Sequence, residues 1–325
     1  MTRTARALWF TSAGKTEIRP VTLTDPGPGE VRVRTLCSGI SRGTEALVLR
    51  GGVPENQHDV MRAPFQEGDF PWPVKYGYLN VGVVEQGPAN LLGRTVFCLY
   101  PHQTEYVVPV GSVTPVPDGV SPGRAILAGT VETAVNALWD AKPLIGDRIA
   151  VVGGGMIGCS VAAVLARFPG VRVQLVDSDP ARAAVAEALG VDFASPAEAL
   201  ENRDLVVHAS ATEEGLTRSL ELLAPEGTVV ELSWYGDRRV SVPLGEFFHS
   251  RRLTIRGSQV GTVARPNRGY AERMAVALDL LADPRFDALV TGASEFDDLP
   301  DVLPKLARGE IPALCHRVDY RADHG

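Results

Sequence analysis

The sequence predicts an α/β protein: a β-rich domain followed by a doubly wound parallel sheet. Three observations carry this. Short β-branched runs lie between turn signals up to about residue 120, apolar strands alternate with amphipathic helices from there to Gly261, and a glycine-rich turn joins an early strand to its helix. A chain of 325 residues exceeds what one core usually organises, which fits two domains.

The β-rich part contains "EVRVRTLCSGI", "LNVGVVEQG", "RTVFCLY" and "QTEYVVPV", bounded by "DPGPGE" and "PVPDGV". The texture changes at Ser121, where serine and the following proline open a helical pattern. "DRIAVVGGG", "VRVQLVDSD", "DLVVHAS", "GTVVELSWYG" and "RLTIRGSQV" then alternate with helical stretches, the order expected of βαβ units. Beyond Gly261 come a helix over "RGYAERMAVALDLLAD", a shorter one near "LPDVLPKLARG" and an extended "LCHRVDY". The domains are set at 1–122, 123–261 and a tail, 262–325, that packs back on the first.

A net charge of -7 with interspersed signs excludes a nucleic-acid footprint and a polybasic membrane surface. The N-terminus has no apolar run followed by a small-residue cleavage site, and no stretch is long enough to span a bilayer, so a cytoplasmic protein is expected. Cys37, Cys98, Cys159 and Cys315 are widely spaced and form no CxxC pair, which points to reduced, buried thiols.

The most specific motif is "RIAVVGGGMIGCSVAAVLARFPGVRVQLVDSD". Gly153, Gly155 and Gly158 form a GxGxxG turn, with Met156 and Ile157 opening the helix. The first glycine permits the turn, the second lets backbone approach a pyrophosphate, and the third lets helix and strand pack closely. Amides at the helix start meet the negative charge. A second strand ends in Asp177, where a carboxylate bonds the adenosine ribose hydroxyls and repels a 2'-phosphate. This is a Rossmann pattern that favours NAD(H) over NADP(H). Arg182 lies against the adenine or is a surface charge, and both readings stay open.

With these motifs in place, the chain resembles the medium-chain dehydrogenase/reductase superfamily over nearly its whole length. "GISRGTE" is similar to that family's first active-site segment, "QTEYVVPV" to its "AEYVVV" strand, and "IRGSQVG" to the loop after the sixth Rossmann strand. The resemblance implies a GroES-like first domain and hydride transfer between a dinucleotide and a small alcohol or ketone. In zinc-dependent members the counterparts of "SGIS" and "KYGYLN" supply a cysteine ligand and a Gly-His-Glu triplet. Here those positions hold Ser41, then Gly77, Tyr78 and Leu79. Such side chains do not make a zinc set, so no zinc is expected, although a site rebuilt from Cys37, His58 or His102 is left open. "SGISRGTE" with a tyrosine at the histidine position is similar to bacteriochlorophyllide dehydrogenase, a precedent for secondary-alcohol oxidation.

The resemblance assigns Thr44 and Tyr78 as proton-handling residues, Tyr78 through a lowered pKa. Each has a bland alternative, a helix cap for Thr44 and packing for Tyr78, and Glu45 reads as structural. It places Arg42 next to the pyrophosphate, with a surface salt bridge as the alternative; Arg317 is expected to reach the pyrophosphate from the tail, and Thr133, on the helix that bridges the domains, to lie near the nicotinamide. Ser210, Leu232, Ser233, Ser258 and Gln259, at the carboxyl ends of the strands, fall near ribose and nicotinamide. His102 reads first as a structural or surface histidine. The expected function is zinc-independent oxidation or reduction of a secondary alcohol or ketone, such as a polyol, a sugar derivative or a biosynthetic intermediate. The rivals are an NADPH-dependent enone or quinone reductase and a catalytically silent dinucleotide-binding protein. A homodimer through the edge strand "RRLTIRG" is expected.

Overall fold

The computed structural model describes residues 3–321. The chain divides into two compact units: residues up to Gly129 with those from Val290 on, and Thr130–Leu289. The stretch 262–289, expected with the tail, therefore belongs with the parallel sheet. A buried arginine there explains the attachment, since Arg273 Nε donates to Glu132 at 3.0 Å and its Nη1 to Asn136 at 2.6 Å. Both acceptors lie on the helix that opens this unit.

The first unit is built on strands β1 (Arg3–Ser12), β2 (Lys15–Leu23) and β3 (Glu30–Ser41), helix α1 (Arg42–Leu49), and strands β4 (Asn80–Gln86), β5 (Thr95–Cys98) and β6 (Glu105–Pro109). β3 is long because it serves three partners: β4 on one side, and two strands that share the other. Its first half pairs antiparallel with β6, and its second half pairs with the final strand, Cys315–Asp319, matching Cys315 to Ser41. The tail thus completes the first unit through "LCHRVDY". β4 and β5 continue this mixed sheet, while β1 and β2 belong to a separate four-stranded sheet completed by the short strands Val74–Lys75 and Glu67–Gly68.

The second unit runs α2 (Ala128–Ala141), β7 (Arg148–Val152), α3 (Met156–Leu165), β8 (Arg172–Val176), α4 (Arg182–Leu189), β9 (Asp192–Ala194), β10 (Arg203–His208), α5 (Glu213–Glu221), β11 (Leu223–Glu231), β12 (Thr254–Gly257) and α6 (Tyr270–Leu280). α2 begins two residues before the boundary between the units. The six strands are all parallel in the order β9-β8-β7-β10-β11-β12. Winding therefore reverses between β7 and β10, the switch point where open α/β sheets bind ligands. Ile149, Ala150 and Val151 are fully buried, as a strand covered by helices on both faces requires. β12 forms one edge of the sheet. Among the described residues no helix is long and apolar enough to cross a membrane.

The first unit closes with β13 (Val290–Glu295), α7 (Leu299–Ala307) and β14 (Cys315–Asp319).

Candidate functional site

In the second unit, β7 runs into Gly153, whose φ of +107° favours glycine and whose added Cβ would meet the Ser210 backbone nitrogen at 2.5 Å. A Cβ on Gly158 would lie 1.9 Å from the Gly153 carbonyl oxygen, so helix α3 can approach the strand only with glycine there. Gly155 differs: nothing lies within 4 Å of its would-be Cβ, which points into open space at the start of α3. This is the place where a phosphate can approach bare backbone. Met156 and Ile157 form the first turn of α3. The three glycines therefore fit the group their spacing implies.

Asp177 follows β8. Its Oδ2 accepts the Gly154 amide at 2.5 Å and its Oδ1 the Asp179 amide at 2.8 Å, fixing the carboxylate beside the glycine turn. Arg182 packs its stem near Gly154, 3.1 Å from a would-be Cβ, and its Nη2 lies 3.4 Å from Asp179. It borders the turn. Ser233 Oγ accepts the Ala211 amide at 3.1 Å, and the Leu232 amide donates to the His208 carbonyl. Ser258 donates to Asp140 at 2.7 Å, and Gln259 turns its side-chain oxygen back onto the Gly261 amide at 2.6 Å. Thr133 is half-buried on α2.

Sequence reasoning missed the group behind Ser210. His208 ends β10 fully buried, with Nδ1 2.7 Å from Glu231 Oε2 and Nε2 2.6 Å from Ser210 Oγ. Glu231 also accepts the Ser233 amide and the Tyr235 hydroxyl. Burial would raise the Glu231 carboxyl, but hydrogen bonds from His208 and Ser233 override it and hold the group below the usual carboxylate range. A lone histidine at a strand end gives no sequence signal of such a partnership.

In the first unit, β3 ends at Ser41 and α1 starts at once. Thr44 sits inside the first turn of α1 and not at its cap, and Ser41 holds the N-cap position without a side-chain capping bond. Its hydroxyl instead accepts the Tyr78 hydroxyl at 2.7 Å, and Thr44 also hydrogen-bonds that phenol. Gly77 brings Tyr78 there: its φ is +127°, and a Cβ would strike the His102 ring at 2.9 Å. The expectation of a lowered Tyr78 pKa is corrected. Burial pushes the phenol up to about 12, assisted by the Glu45 charge and opposed by the Ser41 and Thr44 hydrogen bonds. Neutral Tyr78 is a donor.

Beside these hydroxyls lies a buried dyad. Glu45 is wholly buried; Oε1 accepts the Ser41 amide at 2.8 Å, and Oε2 lies 3.0 Å from His102 Nε2. His102, expected to be structural or at the surface, is 1% exposed, and its Nδ1 lies 2.7 Å from Ser38 Oγ, itself 3.0 Å from the Tyr320 hydroxyl. Arg42 begins α1, half-buried. Arg317, assigned to the pyrophosphate, is paired with Asp319 through Nε and Nη2, each at 2.9 Å.

The donor set does not fit zinc. At the positions that the sequence resemblance matches to zinc ligands are two hydroxyls hydrogen-bonded to each other and a buried leucine, Leu79. The four thiols are buried, and burial raises each, Cys37, Cys98 and Cys159 to about 12. His58 bonds the Val53 carbonyl instead of joining Cys37 or His102. Among the described residues, no group of three or more His, Cys, Asp or Glu side chains is arranged to hold a metal ion.

Residues 157–283 match the family model described as zinc-binding dehydrogenase. The chain is 23% identical over 303 residues to D-guloside 3-dehydrogenase of Shigella flexneri, covering 84% of each protein. It is 28% identical over 166 residues to L-threonine 3-dehydrogenase of Bacillus velezensis, a match covering 47% of this chain and 48% of that protein. The chain thus matches about half the length of that relative. Among solved structures, a short chain alcohol dehydrogenase from Escherichia coli complexed with NADH shares the fold at a TM-score of 0.78 and 16% identity, over 97% of this chain and 99% of that one. A zinc-binding dehydrogenase from Sinorhizobium meliloti bound to NADP gives the same score at 18% identity, over 98% and 99%. Family match, relatives and fold converge with the glycine turn: residues 157–283 carry the dehydrogenase family pattern, and the chain is similar in sequence and fold to dehydrogenases of the medium-chain type.

Proposed function

We propose that the protein is a dehydrogenase that interconverts a secondary alcohol and a ketone with NAD(H), in preference to NADP(H), and manages protons with side-chain hydroxyls instead of a bound metal. The observation that carries the reading is the Tyr78–Ser41 hydrogen bond at 2.7 Å, which joins the positions that the sequence resemblance matches to metal ligands. When bound, the dinucleotide supplies or accepts the hydride. Gly153, Gly155 and Gly158 would hold its pyrophosphate against the start of α3, and Asp177 its adenosine ribose.

The remaining chemistry belongs to the chain. Neutral Tyr78 donates to the carbonyl oxygen of a ketone, and in the reverse direction Ser41, Thr44 and Tyr78 share the alcohol proton. Behind them, Glu45 and His102 form a buried hydrogen-bonded pair. With Glu45 ionised, His102 donates from Nε2 and accepts at Nδ1 from Ser38, which accepts from Tyr320. The named substrates of the relatives, a guloside and threonine, support an alcohol carried on a polar small molecule.

A second reading, packing alone for Tyr78 in a silent binding protein, is favoured by the same raised phenol. Turnover of purified protein across polyol, sugar and amino-alcohol panels with NAD and with NADP tests both readings. NAD-dependent oxidation supports the first, and dinucleotide binding without any turnover supports the second. The exposed edge strand β12 supports homodimer formation.

A further inference from the structure

His208 lies between a carboxylate and a hydroxyl, an arrangement that fixes where its protons go. Glu231 accepts from Ser233 N at 2.7 Å, from Tyr235 at 3.2 Å and from His208 Nδ1 at 2.7 Å. With three donors aimed at it, Glu231 is ionised and His208 keeps its proton on Nδ1. Nε2 of a neutral ring is then an acceptor, and the Ser210 hydroxyl, 2.6 Å away, must donate to it. Ser210 Oγ in turn accepts from the Thr212 amide at 3.3 Å and shares a hydrogen bond with the Thr212 hydroxyl at 2.9 Å. Thr212 Oγ1 caps α5 by accepting the Gly215 amide. In this state every hydroxyl hydrogen of the pair is directed inward.

A second ring proton reverses the pattern. Nε2 then donates to Ser210, whose own hydrogen is displaced onto Thr212 or outward, and either route leaves one hydroxyl hydrogen of the pair free. The lip on which this happens touches the dinucleotide turn, since the Ser210 amide lies 2.5 Å from the would-be Cβ of Gly153. We propose that His208 is a positioning residue for the cofactor: its protonation turns the Ser210–Thr212 pair into an outward donor backed by a positive charge, and anionic dinucleotide binding takes up a proton there.

The inference rests on the dinucleotide reading above. Other charged groups on the surrounding elements are Glu213 and Glu214 at the start of α5, Arg218 and Glu221 further along it, and Arg148 at the far end of β7. Arg218 is paired with Glu221, Arg148 with Asp204, and Arg238 bonds the Ala211 carbonyl. Asp177, Asp179 and Arg182 lie on the other side of the glycine turn.

The test is NADH affinity at pH 6 and pH 8, with calorimetry near pH 7 in two buffers of different ionisation enthalpy. Wild type is expected to bind about threefold or more tightly at pH 6 and to show proton uptake. His208→Gln should bind with equal affinity at the two pH values and without uptake, whereas a purely structural role would lower affinity equally and leave the pH slope. Ser210→Ala, which leaves the histidine in place, should lose most of the slope should the glutamine variant fail to fold. Wild-type binding without a pH slope, or a slope kept in His208→Gln, overturns the proposal. No binding of NADH or NADPH at either pH overturns the dinucleotide reading itself.

Discussion

The Tyr78 hydroxyl donates to Ser41 Oγ across 2.7 Å, joining the two positions that the sequence resemblance matches to metal ligands. The pair is held from both ends. Gly77 threads the chain past His102 to deliver the phenol, and Glu45 anchors the Ser41 amide.

Tyr78→Phe removes the donor and keeps the ring. Turnover should fall at least about tenfold, at the low end for a lost general acid, with NADH affinity unchanged. Steady-state kinetics beside a fluorescence titration checks this, and equal turnover would reassign Tyr78 to packing.

The glycines separate fold from function. Gly155→Ala places a methyl in open space, so thermal stability should hold while dinucleotide affinity drops. Gly158→Ala drives a methyl to within 1.9 Å of the Gly153 oxygen and should cost about 1–3 kcal/mol of stability. Melting curves with and without NADH distinguish the two.

Asp177→Asn keeps an acceptor for the Gly154 amide but removes the charge. NADH binding should weaken modestly, and discrimination against NADPH should fall by about tenfold, the worth of one charge-assisted hydrogen bond. Unchanged selectivity in paired titrations would show that the adenosine site is misassigned.

Acid should destabilise the protein through depressed carboxylates. Glu231, Asp204 and Asp283 all lie below their ordinary range in the folded state, the first despite burial, the others through hydrogen bonds from Arg148 and Arg285. A depressed pKa contributes stability that is present above the unfolded value, near pH 4, and lost as pH falls through the folded one. Glu132, raised by burial, works in the opposite sense. The melting temperature should therefore fall below about pH 4, and less steeply in Glu231→Gln than in wild type.

The parallel-sheet unit was legible because its rules are local: an apolar strand, glycines at fixed offsets and a carboxylate at the next strand end are read within one stretch of chain. Gly153, Gly158 and Asp177 each have a steric or hydrogen-bonding role visible at that range. The dyads were not legible, because Glu45 and His102 are separated by 57 residues and His208 and Glu231 by 23. Only strand register and the packing of α1 bring such pairs together. The lowered Tyr78 pKa failed for a related reason, since burial outweighs the nearby hydroxyls and no sequence pattern reports burial of a single phenol. The boundary after Gly261 was also misleading: Arg273 looks like a helix-surface charge in sequence, yet it is buried against Glu132 and Asn136.

The most direct test is metal analysis of purified, active enzyme together with turnover after exhaustive chelation. The hydroxyl mechanism predicts zinc far below one ion per chain and activity that survives the chelator. One tightly held zinc per chain, with turnover lost on its removal and restored on its return, would contradict it.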